Sequence, residues 1–399
     1  MVLAAAQALP PVERTLDHAL DHVTVGELRS AEDVPLTDIS AMDGFAVRAA
    51  DVAHAGPGAP VALAVVGYVP AGQVATRGLA PGECMRIMTG GPLPRGADAV
   101  VRSEDSRGAD RPEDTRVEVL APAAPGLHVF PQGEDIRAGQ VVVPAGTLLR
   151  PQELGVLASV GVWTVSVRPQ PRVAILATGD ELVLPHEPVS PGRVRSSNSL
   201  TMVNQARRYG AVPQDLGIAR DTLDDVMAHL RRADAPDVVI TSGGSAKGDR
   251  DFSEAALLEL GVRIQFHRVA IKPDKPVIFG QAGRTLYFGL PGNPVASMLT
   301  FELFVRPALL KMRGLTRLAK RVVDATLTED VPKKELGKRY YIRMRHDAAT
   351  GLASTTGNQG SSVLSSMSRA NAVLVMDMDQ TTLKKGAKVQ VWLMDEPEV

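Results

Sequence analysis

The stretch DVVITSGG, residues 237–244, decides the fold of the middle of the chain. Its short apolar, β-branched run is typical of a buried strand, and the two glycines that follow allow a turn that brings the backbone close to a ligand. Similar strands alternate with helical patterns across residues 172–312. This alternation predicts an open α/β sheet with helices on both faces and ligands beyond the carboxyl ends of the strands.

Residue types at the start of two segments in this region predict helices. In SNSLTMVNQARRYG, Ser197 or Asn198 is a suitable N-cap, and Leu200 falls on an apolar stripe with helical spacing. In NPVASMLTFELF, Asn293 is the expected N-cap and Pro294 the first helical residue.

The flanking regions have different patterns. Residues 59–143 contain short β-branched runs separated by Gly and Pro, and residues after about 318 contain four more such runs, so both regions should be rich in strands. The first 30 residues and residues 148–163 are expected to be helical in part and to form a connector. The whole chain is predicted to be a multidomain α/β protein.

Composition excludes several classes of function. The 399 residues carry a net charge of −1 and only 4% aromatic residues, which argues against nucleic-acid binding. Cys84 is the only cysteine, so neither an internal disulfide nor a cysteine-rich zinc site can form. No basic leader and no apolar run of about 20 residues is evident, so we expect no membrane association and a cytoplasmic location.

Acidic residues follow several of the predicted strands. They are Asp180, Glu181, Asp221, Asp249 and Asp251. The helix macrodipole alone would favour one or two of them in first helical turns. Their gathering beside a glycine turn favours Mg²⁺ shared with substrate phosphates.

Two further segments suit an anion. Lys272 and Lys275 stand in the stiff segment IKPDKP, and Pro291 to Pro294 form a turn at a predicted helix start. The alternative is a solvated loop and simple helix initiation. The chain has no P-loop, no dinucleotide fingerprint and no G-x-S-x-G elbow.

Seven motifs in order resemble those of the molybdopterin molybdenumtransferases, the MoeA-type proteins to which the gephyrin E domain is similar. The motifs are SAMDGFAVRAAD (40–51), IMTGGPLPRGADAVV (87–101), ATGDEL (177–182), SNSLTM (197–202), ITSGGSAKGDRDF (240–252), IKPDKP (271–276) and GLPGNPVAS (289–297). The resemblance covers nearly the whole chain.

The resemblance implies four parts and a homodimer whose active cleft is shared between subunits. The parts are a connector (1–40 and 136–168), a β-rich domain (41–135), a molybdopterin-binding α/β domain (169–317) and a β-barrel-like domain (318–399). It also implies that molybdenum from molybdate enters adenylylated molybdopterin, with release of AMP and Mo-molybdopterin.

Site residues follow from the same motifs. The implied catalytic residues are Asp43, Thr89, Asp135, Glu181, Asp221 and Asp251, with Glu181 and Asp251 as ligands of a Mg²⁺ cofactor. The implied substrate-binding residues are Ser242, Gly243, Gly244, Lys272, Lys275, Pro291 and Pro294. We expect Asp43, Thr89 and Asp135 to complete the cleft from the partner subunit. Two other functions stay open, a gephyrin-like interaction scaffold and a molybdopterin adenylyltransferase.

Overall fold

A computed structural model describes residues 1–109, 111, 114–243 and 252–394. The region before residue 170 is mostly strands. Its helices are α1 (Val2–Ala5), α2 (Ala49–Val52) and α3 (Pro151–Ser159), with single 3₁₀ turns at Leu16–His18 and Ser103–Asp105. Its strands are β1 (Val12–Thr15), β2 (Val23–Thr24), β3 (Leu28–Arg29), β4 (Ile39–Ser40), β5 (Gly44–Val47), β6 (Val61–Val69), β7 (Glu83–Ile87), β8 (Ala99–Arg102), β9 (Ser106–Arg107), β10 (Arg116–Val119), β11 (Val129–Phe130), β12 (Val141–Val143) and β13 (Thr164–Arg168).

These strands form one large sheet and three small ones. The large sheet has the order β8-β5-β7-β6-β10-β9, and the small ones are β1-β13-β2, β11-β4 and β12-β3. The partly helical start is confirmed only at Val2–Ala5 and Leu16–His18, because most of residues 12–29 supplies strands that pair with residues 141–168. The helix expected within 148–163 is confirmed as α3, with Pro151 at its first position. The domain boundaries stay a prediction.

The central region is the predicted α/β unit. Its strands are β14 (Arg172–Thr178), β15 (Leu182–Val183), β16 (Val194–Arg195), β17 (Val212–Ala219), β18 (Val238–Ser242), β19 (Arg263–Phe266), β20 (Ile271–Lys272), β21 (Ile278–Ala282) and β22 (Thr285–Leu290). Its helices are α4 (Asn198–Arg208), α5 (Leu223–Leu230), α6 (Phe252–Glu259), α7 (Pro294–Thr300) and α8 (Arg306–Met312). A π-helical turn, Phe301–Val305, joins α7 to α8 just before Pro307, which has no backbone N–H to donate.

The main sheet of this unit has the order β17-β14-β18-β22-β21-β19, and β14, β17, β18 and β22 run parallel. Alternate residues of β14 pack on opposite faces. Ile175 lies in a core with α4, the π-helical turn and α8, while Leu176 lies in a second core with α5 and α6. The predicted two-sided α/β sheet is therefore confirmed. The stripe predicted on α4 needs one correction, because Leu200 is 58% exposed and Met202 is buried instead.

The C-terminal region is a closed barrel. Its elements are β23 (Val322–Leu327), β24 (Arg339–Asp347), β25 (Leu352–Thr355), α9 (Ser365–Ser368), β26 (Ala372–Met376) and β27 (Lys388–Leu393). The strands pair in the order β24-β25-β23-β27-β26, and β26 pairs back to β24. Strand β20 adds to this barrel rather than to the central sheet, since Ile271 and Lys272 pair with Arg339 and Tyr340. Within the described residues, no helix combines the length and apolar character needed to cross a bilayer.

Candidate active site

The carboxyl ends of four parallel strands meet at one edge of the central sheet. Thr178 is opposite Ala219, and Ser242 is opposite both Ala177 and Leu290. The loops that follow these strands therefore start from a common line. This is the edge at which open α/β sheets bind ligands.

Ser242 and Gly243, here called the glycine loop, lie against the end of β14. Ser242 is 2% exposed, and the Gly243 amide donates to the Leu290 carbonyl at 3.3 Å. Gly243 has φ 103°, and a Cβ there would lie 2.3 Å from the Thr178 carbonyl oxygen. Only glycine fits this close approach. The buried Thr178 hydroxyl beside it has no hydrogen-bond partner among the described residues. Gly244 and Asp251 lie outside the described residues.

Three of the predicted carboxylates stand at this edge. Asp180 and Asp221 are held together by reciprocal bonds, because the Asp180 amide donates to Asp221 Oδ2 at 3.3 Å and the Asp221 amide donates to Asp180 Oδ1 at 3.2 Å. The Glu181 carboxylate folds back over Gly179, where a Cβ would lie 2.6 Å from its Oε2. A cavity of about 980 Å³, lined in part by Gly179, Asp180 and Arg220, opens beside them. The site thus combines acidic oxygen donors with room for a large ligand.

Asn198 joins two of the loops. Its Nδ2 donates to Ser242 Oγ at 2.8 Å and to the Gly292 carbonyl at 2.8 Å. Ser197 occupies the N-cap of α4, as one of the two predicted positions, although its side chain makes no capping bond. The sequence signal for this role was the SNSLTM motif, whose polar residues we interpreted as helix caps.

The turn from Pro291 to Pro294 leads into α7 as predicted, with Pro294 at its first position. The Pro291 carbonyl accepts a 3.3 Å hydrogen bond from Ser242 Oγ, so the predicted residues of the turn and the glycine loop come together. Asn293 occupies the N-cap but makes no capping bond. Its Nδ2 donates instead to Asp274 Oδ2 at 2.8 Å.

Residues 271–276, here called the lysine segment, carry Lys272 and Lys275. Both side chains are exposed. They lie near Lys338, whose pKa is lowered by desolvation and then by the positive charges of Lys275 and Lys272. The segment therefore forms a local concentration of positive charge, which favours an anion.

Arg343 on β24 is a buried cation that the sequence analysis missed. It is 1% exposed, and burial lowers the pKa of its guanidinium to about 10. Its described hydrogen bonds run to neutral acceptors, namely Ser366 Oγ at 3.0 Å and the Gly360 and Asn358 carbonyls at 3.1 and 3.4 Å. Arg343 lines a cavity of about 520 Å³ together with two lysines, Lys272 and Lys334, and three acidic residues, Glu329, Asp330 and Glu335. A buried cation without a carboxylate partner is costly, and an anionic ligand would offset that cost.

Asp43 and Thr89 form a separate centre in the β-rich region. Asp43 Oδ1 accepts the Thr89 amide at 2.7 Å and the Thr89 hydroxyl at 2.8 Å, and these two bonds lower the pKa of the Asp43 carboxyl. Asp135 lies on another loop, where its amide donates to the Val34 carbonyl at 3.1 Å. The described hydrogen bonds do not join its carboxylate to Asp43 or Thr89.

The oxygen donors at the strand ends bear on magnesium binding. Within 1–243 and 252–394, apart from residues 110, 112 and 113, no three His, Cys, Asp or Glu side chains converge as a metal site. The donors at the strand ends are nevertheless hard carboxylate oxygens, the type that Mg²⁺ takes in small number while keeping several waters. The donor chemistry therefore fits Mg²⁺, and its binding stays a proposal.

Fold and site together define an α/β protein with an acidic site at the strand ends and a second cavity, lined by the buried Arg343 and by Lys272, beside the barrel. Three family models match the chain in order: "MoeA N-terminal region (domain I and II)" over residues 1–161, "Probable molybdopterin binding domain" over 174–311, and "MoeA C-terminal region (domain IV)" over 324–394. The chain belongs to the MoeA family of molybdopterin molybdenumtransferases.

Similar proteins span the full length. The molybdopterin molybdenumtransferase of Bacillus subtilis is 34% identical, over 96% of this chain and 89% of that protein. Molybdopterin molybdenumtransferase 2 of Mycobacterium tuberculosis is also 34% identical, over 98% and 97%. The solved structure of a molybdopterin biosynthesis MoeA protein from Pyrococcus horikoshii superposes with a TM-score of 0.82 at 31% identity, over 98% of this chain and 96% of that one.

Proposed function

We propose that this chain inserts molybdenum from molybdate into adenylylated molybdopterin, with release of AMP and Mo-molybdopterin. The observation that carries the proposal is Arg343, a buried cation with neutral described acceptors, which is among the residues that line a cavity with Lys272. Two substrates that are both anionic need two sites of different chemistry. The strand-end edge and the Arg343 cavity supply them.

The adenylylated substrate fits the strand-end edge. The 980 Å³ cavity beside Asp180 has the size for a large organic ligand. Ser242, on the same line of strand ends, is fixed by Asn198. Mg²⁺ held by Glu181 and Asp251 would neutralise the phosphate link and polarise a phosphoryl oxygen.

We assign molybdate to the part of the second cavity beside Arg343 and Lys272. Arg343 presents a planar guanidinium, and Lys272 adds a point charge at the cavity wall. No described residue stands out as a covalent nucleophile. Catalysis would therefore rest on positioning and on electrostatic stabilisation of charge.

AMP release tests the function. Purified protein should release AMP from adenylylated molybdopterin in a molybdate-dependent way and yield Mo-molybdopterin. Absence of release under saturating Mg²⁺ would favour a scaffold, and ATP-dependent adenylylation of molybdopterin would favour an adenylyltransferase.

A shared cleft in a homodimer is part of the proposal. The Asp43–Thr89 centre belongs to a sheet distant in sequence from the strand-end edge. Inactive Asp43→Ala and Asp251→Ala chains, mixed so that heterodimers form, should regain part of the activity. Heterodimers without any recovery would count against the shared cleft.

A further inference from the structure

Asp274, between the two lysines of the lysine segment, has an unusual backbone. Its φ is 54°, in the left-handed region that few non-glycine residues occupy. Aspartate tolerates this region better than most residues when its side chain finds a local hydrogen bond. Here the partner is distant in sequence, since Asp274 Oδ2 accepts from Asn293 Nδ2 at 2.8 Å.

Asn293 makes this bond instead of capping α7. An N-cap asparagine ordinarily accepts a backbone N–H of the first turn, and the Asn293 side chain does not. The amide is directed toward the lysine segment. The bond therefore fixes the spacing between the turn at α7 and the segment that carries Lys272 and Lys275.

The bond extends a chain of contacts that crosses the site. Asn198 ties Ser242 to Gly292, the residue before Asn293. Asn293 then ties the same turn to Asp274. The glycine loop and the lysine segment are thus connected through two side-chain amides.

We propose that Asp274 and Asn293 are positioning residues that hold the lysine segment where it binds molybdate. The inference rests on the proposed function, because it assigns molybdate to the cavity beside Lys272. The bond acts through geometry rather than through the charge of Asp274. Loss of the bond would leave Lys272 paired with β24 but would no longer tie the segment that carries Lys275 to the turn at α7.

Three variants separate geometry from charge. Asp274→Gly keeps the positive φ accessible and removes the bond, and it should weaken binding of inorganic molybdate about tenfold. Asp274→Asn removes the charge but keeps an acceptor oxygen, so it should restore most of that loss. Ala235→Gly, at another non-glycine position with positive φ (43°), is the matched control and should bind as wild type does.

Isothermal titration with molybdate alone is the primary measurement. In Asp274→Gly the KM for molybdate should rise together with the dissociation constant. The KM for adenylylated molybdopterin and the thermal unfolding midpoint should stay unchanged. A double-mutant cycle with Asn293→Ala should be strongly non-additive, because either change removes the same bond.

Two outcomes would overturn the inference. One is Asp274→Gly binding molybdate as tightly as wild type. The other is Asp274→Asn losing as much affinity as Asp274→Gly, which would show that charge, not position, is required. Failure of the proposed function would look different, since wild-type protein would then form no Mo-molybdopterin at all, whatever the titrations give.

Discussion

Replacing Arg343 by methionine should weaken molybdate binding without unfolding the barrel. Burial lowers the guanidinium pKa to about 10, which corresponds to a penalty of about 3 kcal/mol on the charged form in the folded protein. A base whose pKa is lowered by folding bears that penalty at every pH below the folded value, and the penalty disappears as the pH rises from about 10 toward the ordinary value of the group. At neutral pH the whole penalty is present, and the variant removes it.

The variant also loses hydrogen bonds. Ser366 Oγ and the carbonyls of Gly360 and Asn358 lose their donor, at about 1 kcal/mol each. The two effects nearly cancel, so the free energy of unfolding should change by no more than about 1 kcal/mol. Molybdate affinity should fall about 10- to 100-fold, because one charge-assisted contact is lost.

The assay is isothermal titration with molybdate together with thermal unfolding of the same preparations. Arg345→Met, an exposed position on the same strand, is the control and should change neither quantity. Arg343→Lys should be intermediate, since it keeps the charge and loses the planar fork. Wild-type affinity in Arg343→Met, or a loss of stability well above 3 kcal/mol, would refute the reasoning.

Three other changes test the rest of the site. Gly243→Ala places a Cβ 2.3 Å from the Thr178 carbonyl oxygen. It should lower the free energy of unfolding by about 2 kcal/mol or more and should also reduce AMP release. Thr89→Val removes one of the two hydrogen bonds that lower the Asp43 pKa, so the acid limb of the pH–activity profile should move to higher pH. An acid limb at unchanged pH would argue against a role for ionised Asp43 in the reaction. Glu181→Gln should weaken Mg²⁺ binding measured by titration, and unchanged Mg²⁺ affinity would exclude Glu181 as a ligand.

The sequence predicted best what depends on local pattern. The run before Gly243 predicted a buried strand because its β-branched residues pack on both faces of a parallel sheet. The pairing of Ile278–Ala282 with Thr285–Leu290 followed from the short turn between them.

Contacts distant in sequence were predictable only where a motif marked them. Asp43 meets Thr89 because the antiparallel register places Gly44 opposite Ile87, and no local pattern fixes that register. Arg343 lies on a strand whose side chains alternate between the inside and the outside of the barrel. A residue that faces outward on such a strand would normally be solvated. Arg343 is buried because the loop that carries Asn358 and Gly360 covers that side of the barrel.

The pairing of β20 with β24 gives molybdate a second effect. Lys272 belongs to the central region by sequence and to the barrel by backbone pairing, and the Arg339 amide also donates to the Ala270 carbonyl at 2.9 Å. Asp274, two residues after Lys272, is bonded to Asn293 at the start of α7, so an oxyanion held by Lys272 and Arg343 would couple the barrel to the central unit. Its binding free energy would then add to the docking free energy of the two units, as RT ln(1 + [L]/Kd) requires for a ligand that binds only the docked form. Molybdate would in this way stabilise the contact between the two units that form its own binding site.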